Sequence, residues 1–327
     1  MDFIDYWTKI RLRLDDDLTR QIPKLFPTLE LKQTETVQHI IKDGKRIRGC
    51  LVCLVSQALG GKIAGALPRA VAIECIQAAS LIHDDYVDND VIRRKRPATW
   101  TVEGPRRAVL LGDVIFATAI RSMVELSSED GIAVTRAIAT VANGAYQELT
   151  WLMQSRGGRD GNRLEGNIYE RIIYLKTGAL FGAACQLGAL AAGASRETCA
   201  LAYAFGARTG EAYQIADDLA DFSAPFRLRQ LRNEKLPALL PALNYFSHKV
   251  GLTTPNCFTD QQHGLYDWCQ RIGEDFIRHM EHEINQRVRL AESYIEQLSS
   301  NSYGKILGEA PTKIVASMMS QAAMQDI

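Results

Sequence analysis

"LIHDDYVDNDVIRRKRPATW", residues Leu81–Trp100, sets four aspartates and then four cationic side chains at the end of an Ala-rich apolar run. On a helix Asp84 and Asp88 are four apart and share a face, with Asp85 alongside. Two carboxylates about 6 Å apart repel by roughly 3 kcal/mol at an effective dielectric of about 20. A pair held this way in a largely apolar segment implies a cation. The arrangement recurs in "AYQIADDLADF" (Ala212–Phe222), where Asp217, Asp218 and Asp221 again stand at i, i+1 and i+4 on an Ala-rich stretch. A solvated helix face could account for one such cluster, but two make the signal specific.

The sequence around these clusters reads as helix. "PRAVAIECIQAASLIHDD", "AVLLGDVIFATAIRSMVEL", "GIAVTRAIATVANGAYQELTWLMQ" and "IYERIIYLKTGALFGAACQLGALAAG" are long and apolar on more than one face, as buried helices are. Alternating strand patterns bounded by turn dipeptides are hard to find. The expectation is an all-α fold and one domain over residues 1–327. Breaks are expected at Leu59–Pro68, Ser155–Asn167, Phe222–Pro237 and Gly251–Gly264, each short enough for a loop inside a domain.

Composition narrows the function classes. The 327 residues carry 38 Lys+Arg against 38 Asp+Glu, so no overall field draws in nucleic acid or an acidic membrane. The electrostatics that matter must be local. The charged start "MDFIDYWTKIRLRLDDD" argues against a leader, and "LFGAACQLGALAAGAS" is shorter than a bilayer needs. A cytoplasmic protein without a membrane span is expected. Seven cysteines with no framework spacing suit a reducing compartment, and the lone Cys50/Cys53 pair reads as small apolar residues on a helix.

Hard oxygen ligands at helical spacing suit Mg²⁺, which keeps waters and is completed by substrate phosphates. A diphosphate is the natural third party. Arg93 and Arg94 behind the first cluster, Lys45 and Arg48 in "DGKRIRG", and Lys176 in "KTGALF" are then candidate phosphate-binding cations.

With these residues in place, the chain from about Asp43 onward resembles the trans-isoprenyl diphosphate synthases. The likeness rests on a GKRxR element (Gly44, Lys45, Arg46, Arg48), the first aspartate motif (Asp84, Asp85, Asp88) and the Arg93–Arg94 pair. "GD" at Gly112–Asp113, "KT" at Lys176–Thr177, and "YQIADDLAD" in place of FQxxDDxxD complete it. The resemblance implies an all-α isoprenoid synthase fold around a deep cavity, usually a homodimer. It further implies three Mg²⁺ ions between the clusters, held by Asp84, Asp85, Asp88, Asp217, Asp218 and Asp221. An allylic diphosphate would be held by Arg93, Lys176, Thr177 and Gln214, and isopentenyl diphosphate by Lys45, Arg48, Gln77 and Arg94. Catalysis would rest on Asp84, Asp85, Asp88, Arg93, Lys176, Asp217 and Asp218, with no nucleophilic side chain.

Two departures touch phosphate handling. After the second cluster "DFSAPFRLRQLRNEKLPALLPAL" lacks the family's GK; Lys235 matches its later lysine, and Arg227, Arg229 or Arg232 could supply the earlier charge. "RRKRP" stands where RRGxP is usual. Three function classes are weighed: a chain-elongating prenyltransferase, a class I terpene cyclase or prenyltransferase with another acceptor, and a non-catalytic partner subunit. Lys45, Arg48 and Arg94, which a cyclase does not need, and the two whole clusters favour the first. In the family an aromatic residue four or five positions before the first aspartate closes the cavity. Here those positions are Ser80 and Ala79, followed by Ile76, Ile73 and Phe116 as deeper candidates, so products of about C20 or longer are expected from counting helical turns.

Overall fold

The computed structural model describes residues 1–27, 29–42, 44–156, 168–223, 236–252, 254, 262–298 and 301–324. Helices dominate it: α1 (Phe3–Leu25), α2 (Leu31–Ile41), α3 (Ile47–Ala58), α4 (Ile63–Val87), α5 (Thr99–Glu103), α6 (Pro105–Val124) and α7 (Ser128–Arg156) form the first part. Then come α8 (Ile168–Ile173), α9 (Ala179–Ala191), α10 (Arg196–Ser223), α11 (Leu236–Val250), α12 (Gln262–Glu292), α13 (Ile295–Leu298) and α14 (Ser302–Met324). The all-α expectation holds, with one small addition. Two-residue strands, β1 (Ile92–Arg93) and β2 (Arg96–Pro97), pair antiparallel directly after the first aspartate cluster. Strands this short leave no alternation to read.

The expected break at Leu59–Pro68 is shorter than its sequence suggests, because α4 already starts at Ile63 and takes Pro68 inside. Proline there removes one ladder bond near the helix start, and the buried apolar face of α4 outweighs that loss.

Apolar side chains gather in two clusters. The larger is built on α1, α3, α4, α6, α7 and α9, with Phe181, Phe205, Leu51 and Ile73 fully buried in it. The second joins α8, α11 and α12 around Phe246, Phe276 and Tyr245. Four of the described helices belong to both; α7 and α12 each cross over through a single buried residue, Trp151 into the second cluster and Ala291 into the first, and α10 and α14 are shared more evenly. The first half of α10 contributes Phe205 to the larger cluster, and its second half gives Ile215, Leu219 and Phe222 to the other. Likewise α14 places Ile314 in the first and packs Met318 against the second. The close approach of α9 and α10 depends on Gly206, where a Cβ would collide with the Phe181 carbonyl.

Helices Ile63–Val87 and Ile168–Ala191 are long and apolar enough to cross a membrane by composition, but 72% and 78% of their most apolar windows are buried inside the fold. They are core helices by burial; the helix that carries "LFGAACQLGALA" is longer than that stretch alone suggests, so its length does not decide the point. Cys50 and Cys53 are fully buried on α3, and burial pushes both thiols up, so they behave as small apolar residues.

Candidate active site

The first cluster sits at the end of α4, with Asp88 as the C-cap. A stripe at Gln77, Leu81, Asp84 and Asp88 keeps some exposure, while Ala78, Ala79 and Ile82 beside it are buried. That spacing marks the side of α4 facing open space. Neither the Asp84 nor the Asp88 carboxylate has a hydrogen-bond or ion-pair partner among the described residues. Burial pushes Asp84 up against the pull of Lys176 and Arg93. Asp88 is pushed up to about 6, by burial first and then by Asp84, Glu148 and Asp90, against the pull of Lys176. These are anions waiting for a cation.

Asp85 differs. It is buried and accepts from Arg93 Nε at 2.6 Å, and Arg93 also reaches Asp90 at 3.3 Å. Arg93 therefore serves the cluster itself in this structure. Arg94 sits at the hairpin turn with Lys95, at φ 51° and 63°, and donates to the Lys42 carbonyl at 3.1 Å. The turn places two successive residues in the left-handed region, where a glycine would carry no Cβ penalty and lysine is strained. Behind α4, His83 packs on Gly112 so closely that a Cβ at Gly112 would overlap the imidazole, and His83 Nε2 lies 3.0 Å from the Val109 carbonyl. Gly112–Asp113 thus shapes the α4–α6 contact.

The second cluster likewise holds its middle aspartate by hydrogen bonds. Asp217 and Asp221 are half-buried at i and i+4. Asp218 receives Tyr169 Oη on one oxygen at 2.6 Å and Gln214 Nε2 on the other at 3.0 Å. Gln214 in turn accepts from Thr177 Oγ1 at 2.6 Å. Burial pushes Asp218 up to about 7, offset by those two hydrogen bonds and reinforced by Asp217 and Glu148. In both clusters, then, the middle aspartate is already hydrogen-bonded inside the protein.

Between the clusters stands a pair that the sequence reading only half finds. Lys176 bonds Glu148 of α7. Burial alone would lower this ammonium, but Glu148, Asp84 and Asp88 outweigh it and hold it charged. Lys176 and Thr177 lie on one turn of wider helix, Tyr174–Gly178, the kind of local widening that recurs at functional sites. Nothing in "AYQELTWL" distinguishes Glu148 from an ordinary helix-surface acid, and its partner becomes visible only in the fold.

The GKRIR element divides. Trp7 Nε1 fixes the Lys45 carbonyl at 2.7 Å, and Arg46, at φ 56°, turns its guanidinium inward to Asp15 at 2.7 Å and Glu74 at 3.5 Å. Lys45 and Arg48 point elsewhere. Lys45 Nζ lies 3.5 Å from Tyr213 Oη and 3.2 Å from Met318 Sδ, with no carboxylate in ion-pair reach among the described residues. Burial lowers its ammonium, with Asp217 pulling it back. The Arg48 guanidinium rests on the Phe181 ring at 4.5 Å, and its buried Nε has no partner. Gln77 stands on the exposed stripe of α4, its amide unpartnered among the described residues. Lys235, Arg227, Arg229 and Arg232 lie outside the described residues.

Among the described residues no three acidic, His or Cys side chains converge on one point that could hold an ion unaided. Two carboxylate pairs on α4 and α10 fit instead a hard cation completed by phosphate oxygens.

Solved structures share this architecture. A decaprenyl diphosphate synthase from Rhodobacter capsulatus superposes with a TM-score of 0.79 over 96% of this chain and 99% of its own, at 23% identity. In sequence, a short chain isoprenyl diphosphate synthase of Methanothermobacter thermautotrophicus is 34% identical over 68% of this chain and 67% of its own. A geranylgeranyl diphosphate synthase of Mycobacterium tuberculosis is 37% identical over 54% of this chain and 50% of its own. The sequence model of the polyprenyl synthetase family matches residues 31–227. The chain belongs to that family.

Proposed function

We propose that the protein is an all-trans prenyltransferase that joins an allylic diphosphate to isopentenyl diphosphate, with a product of about C20 or longer by helical turn-counting. The observation that carries this reading is the set of partnerless anions, Asp84 and Asp88, facing a charged Lys176, with the second aspartate helix alongside. Mg²⁺, three ions by family resemblance, would be held by Asp84 and Asp88 from α4 and by Asp217 and Asp221 from α10. Asp85 and Asp218 would support them from behind. When bound, the metal supplies charge neutralisation that turns the allylic diphosphate into a leaving group. Lys176, Arg93, Thr177 and Gln214 orient that diphosphate, and Lys235 belongs to the same side by its sequence match. Lys45, Arg48, Arg94 and Gln77 hold the acceptor so that its double bond meets the allylic carbon. The proton released on condensation passes to the departing diphosphate. A cyclase would have no use for the cationic acceptor side, and a silent partner subunit would have no need of both aspartate clusters.

We further propose a cytoplasmic homodimer. The six cysteines among the described residues are free and buried, which suits a reducing compartment, and Leu110 and Val124 on α6 with Ile132 and Tyr146 on α7 leave an exposed apolar surface for a second copy.

The test is incubation with Mg²⁺, an allylic diphosphate and labelled isopentenyl diphosphate, followed by product identification. Elongated diphosphates are expected. Asp84→Ala and Asp217→Ala should each lower turnover by several orders of magnitude with the helical circular dichroism intact. Hydrocarbon products, or near wild-type turnover in either variant, would overturn the reading.

A further inference from the structure

The residue that opens the second aspartate motif is Tyr213, where the family pattern has phenylalanine. Its ring meets Phe181 at 5.5 Å between centroids, and Phe181 carries the Arg48 guanidinium at 4.5 Å. Packing alone asks only for the ring, so the hydroxyl needs a separate reason. It stands one helical turn before Asp217, and the charges acting on it are Asp217, Arg48 and Arg94. Lys45 Nζ lies 5.7 Å from the ring centroid and 3.5 Å from the phenol oxygen.

The oxygen of Tyr213 accepts from Lys45, and the phenol proton has no acceptor among the described residues. Lys45 spends its other described contact on the Met318 thioether at 3.2 Å, a weak acceptor. An ammonium and a phenol O–H thus stand side by side as donors with no carboxylate in hydrogen-bond reach among the described residues, next to a guanidinium whose Nε is also unpartnered. Burial, with Asp217 adding to it, pushes the phenol up to about 12, so it remains a donor across the working pH range.

We propose that the Tyr213 hydroxyl donates a hydrogen bond to the diphosphate of the acceptor, beside Lys45, and thereby sets acceptor affinity; this inference rests on the isopentenyl diphosphate reading above. Phenylalanine at this position leaves Lys45 and Arg48 to bind the anion by charge alone. The hydroxyl adds a directional neutral donor, which fixes one phosphate oxygen relative to Asp217.

Tyr213→Phe is the test, because it keeps the ring against Phe181 and under Lys45. Isothermal titration with isopentenyl diphosphate should show affinity falling about tenfold to hundredfold, the worth of a hydrogen bond to a charged group. In turnover the KM for isopentenyl diphosphate should rise to match, while the allylic KM and kcat stay near wild type. Combining Tyr213→Phe with Lys45→Ala should give less than the product of the single effects, since both donors act on one diphosphate. Unchanged affinity in Tyr213→Phe, with wild type binding normally, would overturn the inference and leave the prenyltransferase reading standing. An equal loss for the allylic substrate would also overturn it, placing the hydroxyl on the other diphosphate. Failure of the wild type itself to bind isopentenyl diphosphate would remove both.

Discussion

Replacing Tyr169 by phenylalanine isolates what holds the second aspartate cluster. The hydroxyl donates to Asp218 at 2.6 Å from a ring that is itself buried. A hydrogen bond to an ionised group contributes about 1.5–3 kcal/mol, and one to a neutral group about 1 kcal/mol. Asp218 is pushed up to about 7, so its charge state decides which value applies. With a raised native pKa, protonation favours the fold. This contribution is fully present below about pH 4, near the ordinary carboxylate value, and is lost as pH rises through about 7. The metal-chelated wild type should therefore melt higher at acid than at alkaline pH. Tyr169→Phe should widen that gap, losing about 4 °C at alkaline pH, where the carboxylate is charged, and about 2 °C at acid pH. Because the lost hydrogen bond favoured the ionised form, the Asp218 pKa climbs further, and the acid limb of the pH–rate profile should move upward. Melts in chelator at pH values on either side of 7, together with pH–rate profiles in Mg²⁺, measure both. Equal losses of melting temperature at the two pH values, with an unmoved acid limb, would refute the assignment of Tyr169 to the charged Asp218.

Lys95→Gly should stabilise the protein by about 0.5–1 kcal/mol, because Lys95 is held at φ 63°, where glycine carries no Cβ penalty; denaturant titration reads this, and a loss of stability would refute the strain. At the candidate floor, burial separates two neighbours. Ala79 is 0% exposed, whereas Ser80 keeps 7% with a hydroxyl that has no partner. Ser80→Phe should shorten the product, seen by chromatography after dephosphorylation, and an unchanged product would move the floor elsewhere. Ala79→Tyr should instead cost about 1–3 kcal/mol by overpacking, measurable as a lowered melting temperature.

The helical fold is legible because its segments are apolar on more than one face, and the aspartate clusters are legible because i, i+4 spacing survives any packing of the helices. What sequence cannot reach is the choice of partner. Asp84 and Asp85 are adjacent in the chain, yet among the described residues one meets no partner and the other is closed by Arg93. Arg46 looks like a third phosphate cation beside Lys45 and Arg48 until its left-handed backbone turns it onto Asp15 and Glu74. Tyr169 lies far from Asp218 along the chain and shows no motif of its own. Glu148 acquires meaning only when α7 is laid against the turn that bears Lys176.

The widened turn at Tyr174–Gly178 has a consequence for how this part of the chain can vary. The amide of Ala179 bonds back to the Tyr174 carbonyl, five residues away, so the turn holds one residue more than an α-helix would. Each residue of an α-helix advances the phase by about 100°. Before the turn Tyr169, Ile172 and Ile173 belong to one apolar cluster, and beyond it Leu180, Phe181 and Ala184 belong to the other. Excising a single residue such as Leu175 would restore regular helix at the cost of the widened turn that carries Lys176 and Thr177, whereas removing one from the regular helix on either side would rotate everything beyond it by about 100°, swinging Phe181 out from under Arg48 and Tyr213. Substitutions along this segment shift contacts one at a time, but a one-residue change of length in the regular helix on either side of the turn dephases it against its neighbours, so length there is far more constrained than identity.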